Sequence, residues 1–150
     1  MAVYITTSKN PSQKTKTLCK AFSKLLPGSL SENRGRKGIE QIFMRAKLLG
    51  KSRVMLVYET DSLPSRICFM KIKAHSWEWA GAEIAISKFR VFRIPAELPD
   101  EIAANGPRGK EFDVLFDFDK PEGEDFIELR CERKNLSFIH RGKKLMELVL

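Results

Sequence analysis

The sequence predicts an α/β fold, a mixed β-sheet with helices packed on it. From Val3 to Leu49 a strand-like run gives way to two segments whose apolar residues recur at helical spacing. Arg53 to Thr60 (R-V-M-L-V-Y-E-T) is apolar almost throughout, as in a central strand covered on both faces. Beyond residue 110, β-prone runs alternate with turn residues. Helices and strands that alternate early, with strands dominating late, define this class. A chain of 150 residues, 43% hydrophobic and 31% charged, is large enough for one domain with its own core.

In chain order, Ala2 to Ser8 is expected to form a strand on the β propensity of Val3, Ile5 and two threonines. Asn10 is placed to cap the following helix and Pro11 to take its first position, where a missing N–H costs nothing. Leu18, Phe22, Leu25 and Leu26 fall on one face of that helix, and Pro27-Gly28 ends it. Ser29 to Glu32 suits a short edge strand. Asn33 to Gly38 (N-R-G-R-K-G) is a loop, and Ile39, Ile42, Phe43, Ala46 and Leu49 form the buried face of a second helix that Gly50 stops. After the central strand come a turn at Asp61 to Pro64 and a strand over Arg66 to Lys73. Trp77 and Trp79 flank a loop through Gly81, Glu83 to Ile94 alternates as a long strand, and Glu97 to Ala104 reads as a short helix after Pro95. The remainder reads as a meander: strands at Phe112 to Phe118, Phe126 to Glu132, Leu136 to His140 and Lys144 to Leu150, with an acidic loop over Asp117 to Asp125.

Formal charge is +8, and its distribution says more than the total. Residues 1–60 hold 12 Lys and Arg against 3 Asp and Glu, while residues 61–150 hold 15 against 16. A cationic excess confined to one segment fits a surface facing a polyanion, and equally a solvated outer face. Lys16, Lys20 and Lys24 recur every fourth residue opposite the apolar stripe. Like charges at that spacing repel by ~0.2–0.5 kcal/mol per pair, which a polyanion would relieve. Gly35-x-x-Gly38 opening a helix is similar to the clamp that KH domains close on phosphates, but the helix such domains place before it is missing. We therefore expect Lys9, Lys16, Lys20, Arg34, Arg36 and Lys37 to contact the phosphates of a nucleic acid.

Other chemistry finds little support. No G-x-S-x-G, H-E-x-x-H or paired-carboxylate pattern is present, so no catalytic residue is assigned. Cys19, Cys68 and Cys131 stand far apart and form no metal-ligand spacing with His75 or His140, so packing in apolar surroundings is expected, with no metal and no cofactor. Trp77 and Trp79 suit either base stacking or the cover of a core edge. A start of Met-Ala-Val-Tyr without a charged-then-apolar leader, and no run long enough to cross a bilayer, predict a cytoplasmic protein.

The runs T-T-S-K-N-P-S-Q-K-T-K-T-L-C-K (Thr6 to Lys20), L-P-G-S (Leu26 to Ser29) and N-R-G-R-K-G-I (Asn33 to Ile39) together resemble the amino-terminal signature of the Brix-domain family, and most of all its short archaeal members. The resemblance covers residues 3–60. It implies a single domain over 1–150, similar in fold to the anticodon-binding domain of class II aminoacyl-tRNA synthetases and built from two similar halves, about 1–75 and 76–150. No repeat between the halves is visible in the residues themselves. It further implies a non-catalytic role in ribosome biogenesis through binding of precursor ribosomal RNA, with other assembly proteins as further partners. The match places Thr6, Thr7, Ser8, Lys9, Pro11 and Ser12 in the strand-to-helix turn and Arg34-Gly35 in the next loop. Leu63-Pro64-Ser65-Arg66 departs from the Gly-Pro-containing turn of larger family members. A rival expectation is a protein-interaction scaffold for assembly factors, with the acidic, β-rich second half as docking face and only non-specific affinity for RNA.

Overall fold

The computed structural model describes residues 2–150 as a mixed α/β structure with two mixed sheets and three helices. The first part comprises β1 (Val3–Thr7), α1 (Gln13–Leu25), β2 (Leu30–Ser31), α2 (Ile39–Leu48), β3 (Arg53–Thr60), β4 (Leu63–Ile72), β5 (Trp77–Trp79) and β6 (Ile84–Ala85). The second comprises β7 (Lys88–Val91), β8 (Ile102–Asn105), α3 (Gly109–Phe116), β9 (Ile127–Cys131), β10 (Asn135–His140) and β11 (Lys143–Val149). One sheet runs β2-β1-β3-β4-β5, with β6 also on β4; the other runs β7-β11-β10-β9-β8. β1 is parallel to both β2 and β3, and β8 is parallel to β9; all other pairs are antiparallel.

Alternation along the central strands decides which helix covers which face. Val3 and Ile5 of β1 with Met55 and Val57 of β3 meet Leu18, Phe22 and Leu25 of α1. Tyr4, Val54 and Leu56, one residue out of step, meet Ile42, Phe43 and Ala46 of α2 on the opposite face. β3 is therefore covered on both sides, as its uninterrupted apolar run requires. α1 is also sandwiched against the second sheet. Phe22 meets Phe138 of β10 edge-on with ring centroids 6.0 Å apart, a geometry worth ~0.5–1.5 kcal/mol beyond burial. Phe69 of β4 makes a similar contact, at 5.0 Å, with Phe116 of α3. The buried Arg53 completes the join: its guanidinium donates to the carbonyls of Leu115 (3.2 Å) and Val114 (3.3 Å) in the last turn of α3, where a cation is favoured.

Several expectations require correction. α1 is capped by Ser12, not Asn10, so Pro11 precedes the helix; Asn10 instead takes a positive φ of 56° in the turn. Trp77 and Trp79 lie together in a strand of their own that leads into the loop through Gly81, and not on either side of that loop. The stretch 83–94 is not one strand. Ile84 and Ile86 stay with β4, and at Ser87 the chain changes sheets, its N–H donating to the Val149 carbonyl. Residues 97–104 form no helix, since Ile102–Asn105 pairs in parallel with β9. Conversely Phe112 to Phe118 is no strand: Phe112, Leu115 and Phe116 are the buried face of α3. The meander is thus β9-β10-β11, closed by two-residue turns such as Arg141-Gly142, both at positive φ. Among the described residues no helix is long and apolar enough to cross a membrane.

Candidate nucleic-acid interface

The carboxyl ends of β1, β2 and β3 lie together. From there the chain leaves β1 for α1 on one face of the sheet, and leaves β2 for α2 on the other. The crevice outside such a divergence is where open α/β sheets place their ligands. Here it is flanked by residues 8–12 and 32–38, the two loops that carry the signature runs.

Each loop is fixed from within. Ser12 accepts the Thr15 N–H as N-cap of α1. Glu59, near the end of β3, then accepts from the N–H (2.8 Å) and hydroxyl of Ser12 and from the hydroxyl of buried Thr15. Those hydrogen bonds, Ser12's first, hold the Glu59 carboxyl below the usual carboxylate range. The amino end of α1 therefore already has its anion. In the second loop, Arg34 is only 9% exposed; its Nε donates to the Lys37 carbonyl (2.9 Å) and an NH to the Thr7 carbonyl (3.3 Å). It closes the loop on itself and ties it to β1. Glu32 accepts two hydrogen bonds from Arg45 of α2 (3.0 and 2.8 Å) and one from Tyr4 (2.7 Å), and these contacts, Arg45's first, bring its pKa down to about 2.

The six expected cations thus separate by role. Lys9 and Arg36 are exposed at the carboxyl end of the strands, and Lys37 is half-buried beside them. Lys16 and Lys20 line the exposed stripe of α1, continued by Lys24. The side chains of Lys9, Lys14, Lys16, Lys20, Lys24 and Arg36 make no hydrogen bond or ion pair among the described residues. Arg34 alone of the six is committed to backbone carbonyls, and it holds the loop in shape. Gly38 starts α2 with an ordinary φ of −81°, and a Cβ there would meet nothing within 4 Å. Its N–H is taken by Gln41 (2.8 Å), so it is not a free donor.

Residues that carry no motif also reach this end of the sheet. Tyr58, Arg66 and Cys68 lie on the α2 face, where α2 does not extend. The Arg66 guanidinium sits 4.5 Å from the centre of the Tyr58 ring and donates to Glu83 (3.1 Å). Burial pushes the Cys68 thiol up to about 11, with Glu83 adding to the rise. Trp77 covers the edge of the core and donates to Glu40 of α2 (2.8 Å), whereas Trp79 is 49% exposed.

No protein-family model matches the chain. Its sequence is similar to a "Probable Brix domain-containing ribosomal biogenesis protein" of Thermococcus kodakarensis, 30% identical over 77 residues, which is 51% of this chain and 37% of that protein. The protein of the same description from Pyrococcus horikoshii is 29% identical over 77 residues, 34% of its length. The match thus spans about a third of these curated relatives. In fold the chain is similar to a probable ribosomal biogenesis protein from Aeropyrum pernix K1, with a TM-score of 0.86, 18% identity, and 99% and 93% of the two chains covered. It is also similar to Mil, an archaeal Imp4-like protein, with a TM-score of 0.72, 20% identity, and 97% and 95% covered. The likeness to archaeal Brix-domain proteins read from the signature runs is thus found again in the sequences of relatives, and the fold is shared along nearly the whole chain.

Proposed function

We propose that this protein is a ribosome biogenesis factor that binds precursor ribosomal RNA without catalysing a reaction on it. The observation that carries the reading is the set of unpaired cations on α1 and at the carboxyl end of β1 and β2, in a chain whose relatives are named ribosomal biogenesis proteins. Cations that no carboxylate neutralises are available to displace counterions from an RNA backbone. The site comprises Lys9, Lys16, Lys20, Arg36 and Lys37 as phosphate contacts, with Arg34 shaping the loop that presents two of them.

The two sheets support a reading as two similar halves of one domain. β1, β3, β4 and β5 form a parallel pair joined through helical chain and then two antiparallel strands, and β8, β9, β10 and β11 do the same. The division then falls near Ser87. An affinity with the anticodon-binding domain of class II aminoacyl-tRNA synthetases belongs to the same reading.

The test is a salt titration of binding to structured ribosomal RNA and to an unrelated duplex, with wild type and a Lys16/Lys20/Arg36 triple alanine variant. Tighter binding to ribosomal RNA, weakened in the variant together with the slope of affinity against salt, is the expected result. Equal, weak binding to both RNAs that vanishes at moderate salt would remove the RNA reading. It would favour the protein scaffold, for which Met44 and Leu48, one turn apart on α2 and 65% and 79% exposed, offer an apolar docking strip.

A further inference from the structure

The cavity at the edge of the first sheet has no part in the phosphate contacts proposed above, and its lining combines aromatic, cationic and carboxylate side chains. It measures about 490 Å³ and is lined by Tyr58, Arg66, Cys68, Trp79 and Glu83. Pairing explains the grouping: Tyr58 lies opposite Arg66, and Trp79 opposite Met70, so alternation puts Tyr58, Arg66, Cys68 and Trp79 on one face. That is also the face of α2, whose first residue follows the Arg36-Lys37-Gly38 loop. Tyr58 is close enough to Arg34 for that charge to act on its hydroxyl.

We propose that this cavity holds one unpaired nucleobase of an RNA whose backbone runs over the Arg36–Lys37 loop, a proposal that rests on the RNA-binding reading above. The Trp79 indole is half-exposed and, among the described residues, no ring is stacked parallel to it; its contact with Trp77 is T-shaped, with centroids 5.0 Å apart. Aromatic faces left open beside a cationic track are how single strands are held. Glu83 supplies the polar edge. Its Oε2 takes both the Arg66 N–H and the Cys68 thiol (3.3 Å), while Oε1 accepts no hydrogen bond among the described residues. A carboxylate oxygen only accepts, so it favours guanine, whose N1–H and N2 amino donors stand side by side, or the amino group of cytosine, over uracil, whose single N3–H is flanked by two carbonyl acceptors. A peptide would find the stacking surface but has no need of the adjoining cations.

The test uses a Trp77→Phe protein, in which Trp79 is the sole tryptophan, titrated with a short single-stranded oligoribonucleotide and with the same sequence as a blunt duplex. Stacking should quench Trp79 fluorescence with the single strand and not with the duplex. Trp79→Ala in the wild-type background should weaken single-strand binding by roughly fivefold to a hundredfold, the size of one lost base stack, with the salt slope unchanged. Trp79→Phe, which keeps a ring, should recover most of that loss, and Glu83→Gln should narrow the preference for a guanine-containing over a uracil-only strand. Binding of the single strand with no change in Trp79 fluorescence and no effect of Trp79→Ala would overturn the cavity proposal while leaving the phosphate reading intact. No binding of either RNA at low salt would overturn both.

Discussion

Ser12 and Glu59 meet although 47 residues separate them: the backbone N–H of the α1 N-cap lies 2.8 Å from Glu59 Oε2 at the far end of β3. The contact joins the signature loop to the central strand, and it satisfies the helix start with a carboxylate where the backbone dipoles favour one. Thr15 follows from it. A threonine in the first turn of a helix is buried here because its hydroxyl also reaches Glu59.

Replacing Glu59 by Gln should lower stability by about 1 kcal/mol, the usual size of a cap or helix-dipole contribution. The pH dependence gives a sharper result. The folded-state pKa of Glu59 is depressed, so its contribution is fully present above the unfolded carboxylate range and is lost as pH falls through the folded value. Urea unfolding followed from neutral to acid pH should therefore show a shallower acid limb for Glu59→Gln than for wild type. Parallel limbs would mean that the ionised carboxylate does not matter at this cap.

Glu32 makes an asymmetric prediction with Tyr4. The Tyr4 hydroxyl donates to Glu32 from a side chain with no exposed surface, while Glu32 keeps Arg45 as a second partner. Glu32→Ala strands a buried donor and should cost ~1–3 kcal/mol, whereas Tyr4→Phe removes the donor itself and should cost less. Because the Glu32 pKa is held down to about 2, its contribution persists through mildly acid solution and fades only as pH falls towards that value. Unfolding of both variants at neutral pH decides the order of the two costs. A larger loss for Tyr4→Phe would reverse the assignment.

At Gly106 a side chain would collide with backbone. The φ there is +87°, and a Cβ would stand 2.7 Å from the Cys131 carbonyl oxygen. Gly142 also has positive φ, at +78°, but open space around it. Gly142→Ala should cost ~1 kcal/mol for the left-handed backbone alone, and Gly106→Ala clearly more, because β8 and β9 must also part. Thermal melts of the two single variants compare them directly, and equal costs would show that the β8–β9 crossing yields without strain.

How far the sequence revealed this depended on whether the signal was local. α1 is legible because Leu18, Phe22, Leu25 and Leu26 recur at helical spacing, and β3 because Val54 to Tyr58 are apolar without a break. α3 is misread because F-D-V-L-F-D-F alternates as well as it repeats by threes and fours. Only the 69% exposure of Val114 separates the two periods, and no sequence shows exposure. The strand through 83–94 fails for another reason: its alternation is real, but Ile86 and Lys88 belong to different sheets. At the candidate site the free lysines of α1 were legible from their spacing. The cavity was not, since Tyr58, Arg66 and Trp79 become neighbours only through the registers of β3, β4 and β5.

Arg34 and Arg36 stand two residues apart in one loop and should behave as opposites. Arg34 is buried and hydrogen-bonded to the carbonyls of Lys37 and Thr7, so Arg34→Ala leaves two acceptors without their charged donor. Hydrogen bonds to a charged group contribute ~1.5–3 kcal/mol, and the variant should lose stability in that range. Arg36 is exposed and touches no partner among the described residues, so Arg36→Ala should change stability by no more than ~0.5 kcal/mol. RNA binding should invert the ranking of mechanism. Arg36→Ala removes one phosphate contact and should lower the salt slope by about 1, uniformly across RNA sequences. Arg34→Ala should weaken binding only as far as the loop loosens, and Arg34→Lys should not restore it, because a single ammonium cannot span both carbonyls as the guanidinium fork does. Paired urea melts and salt titrations on the three variants separate the two roles. If Arg34→Lys bound RNA like wild type, Arg34 would act as a charge after all, and its burial would be incidental to the site.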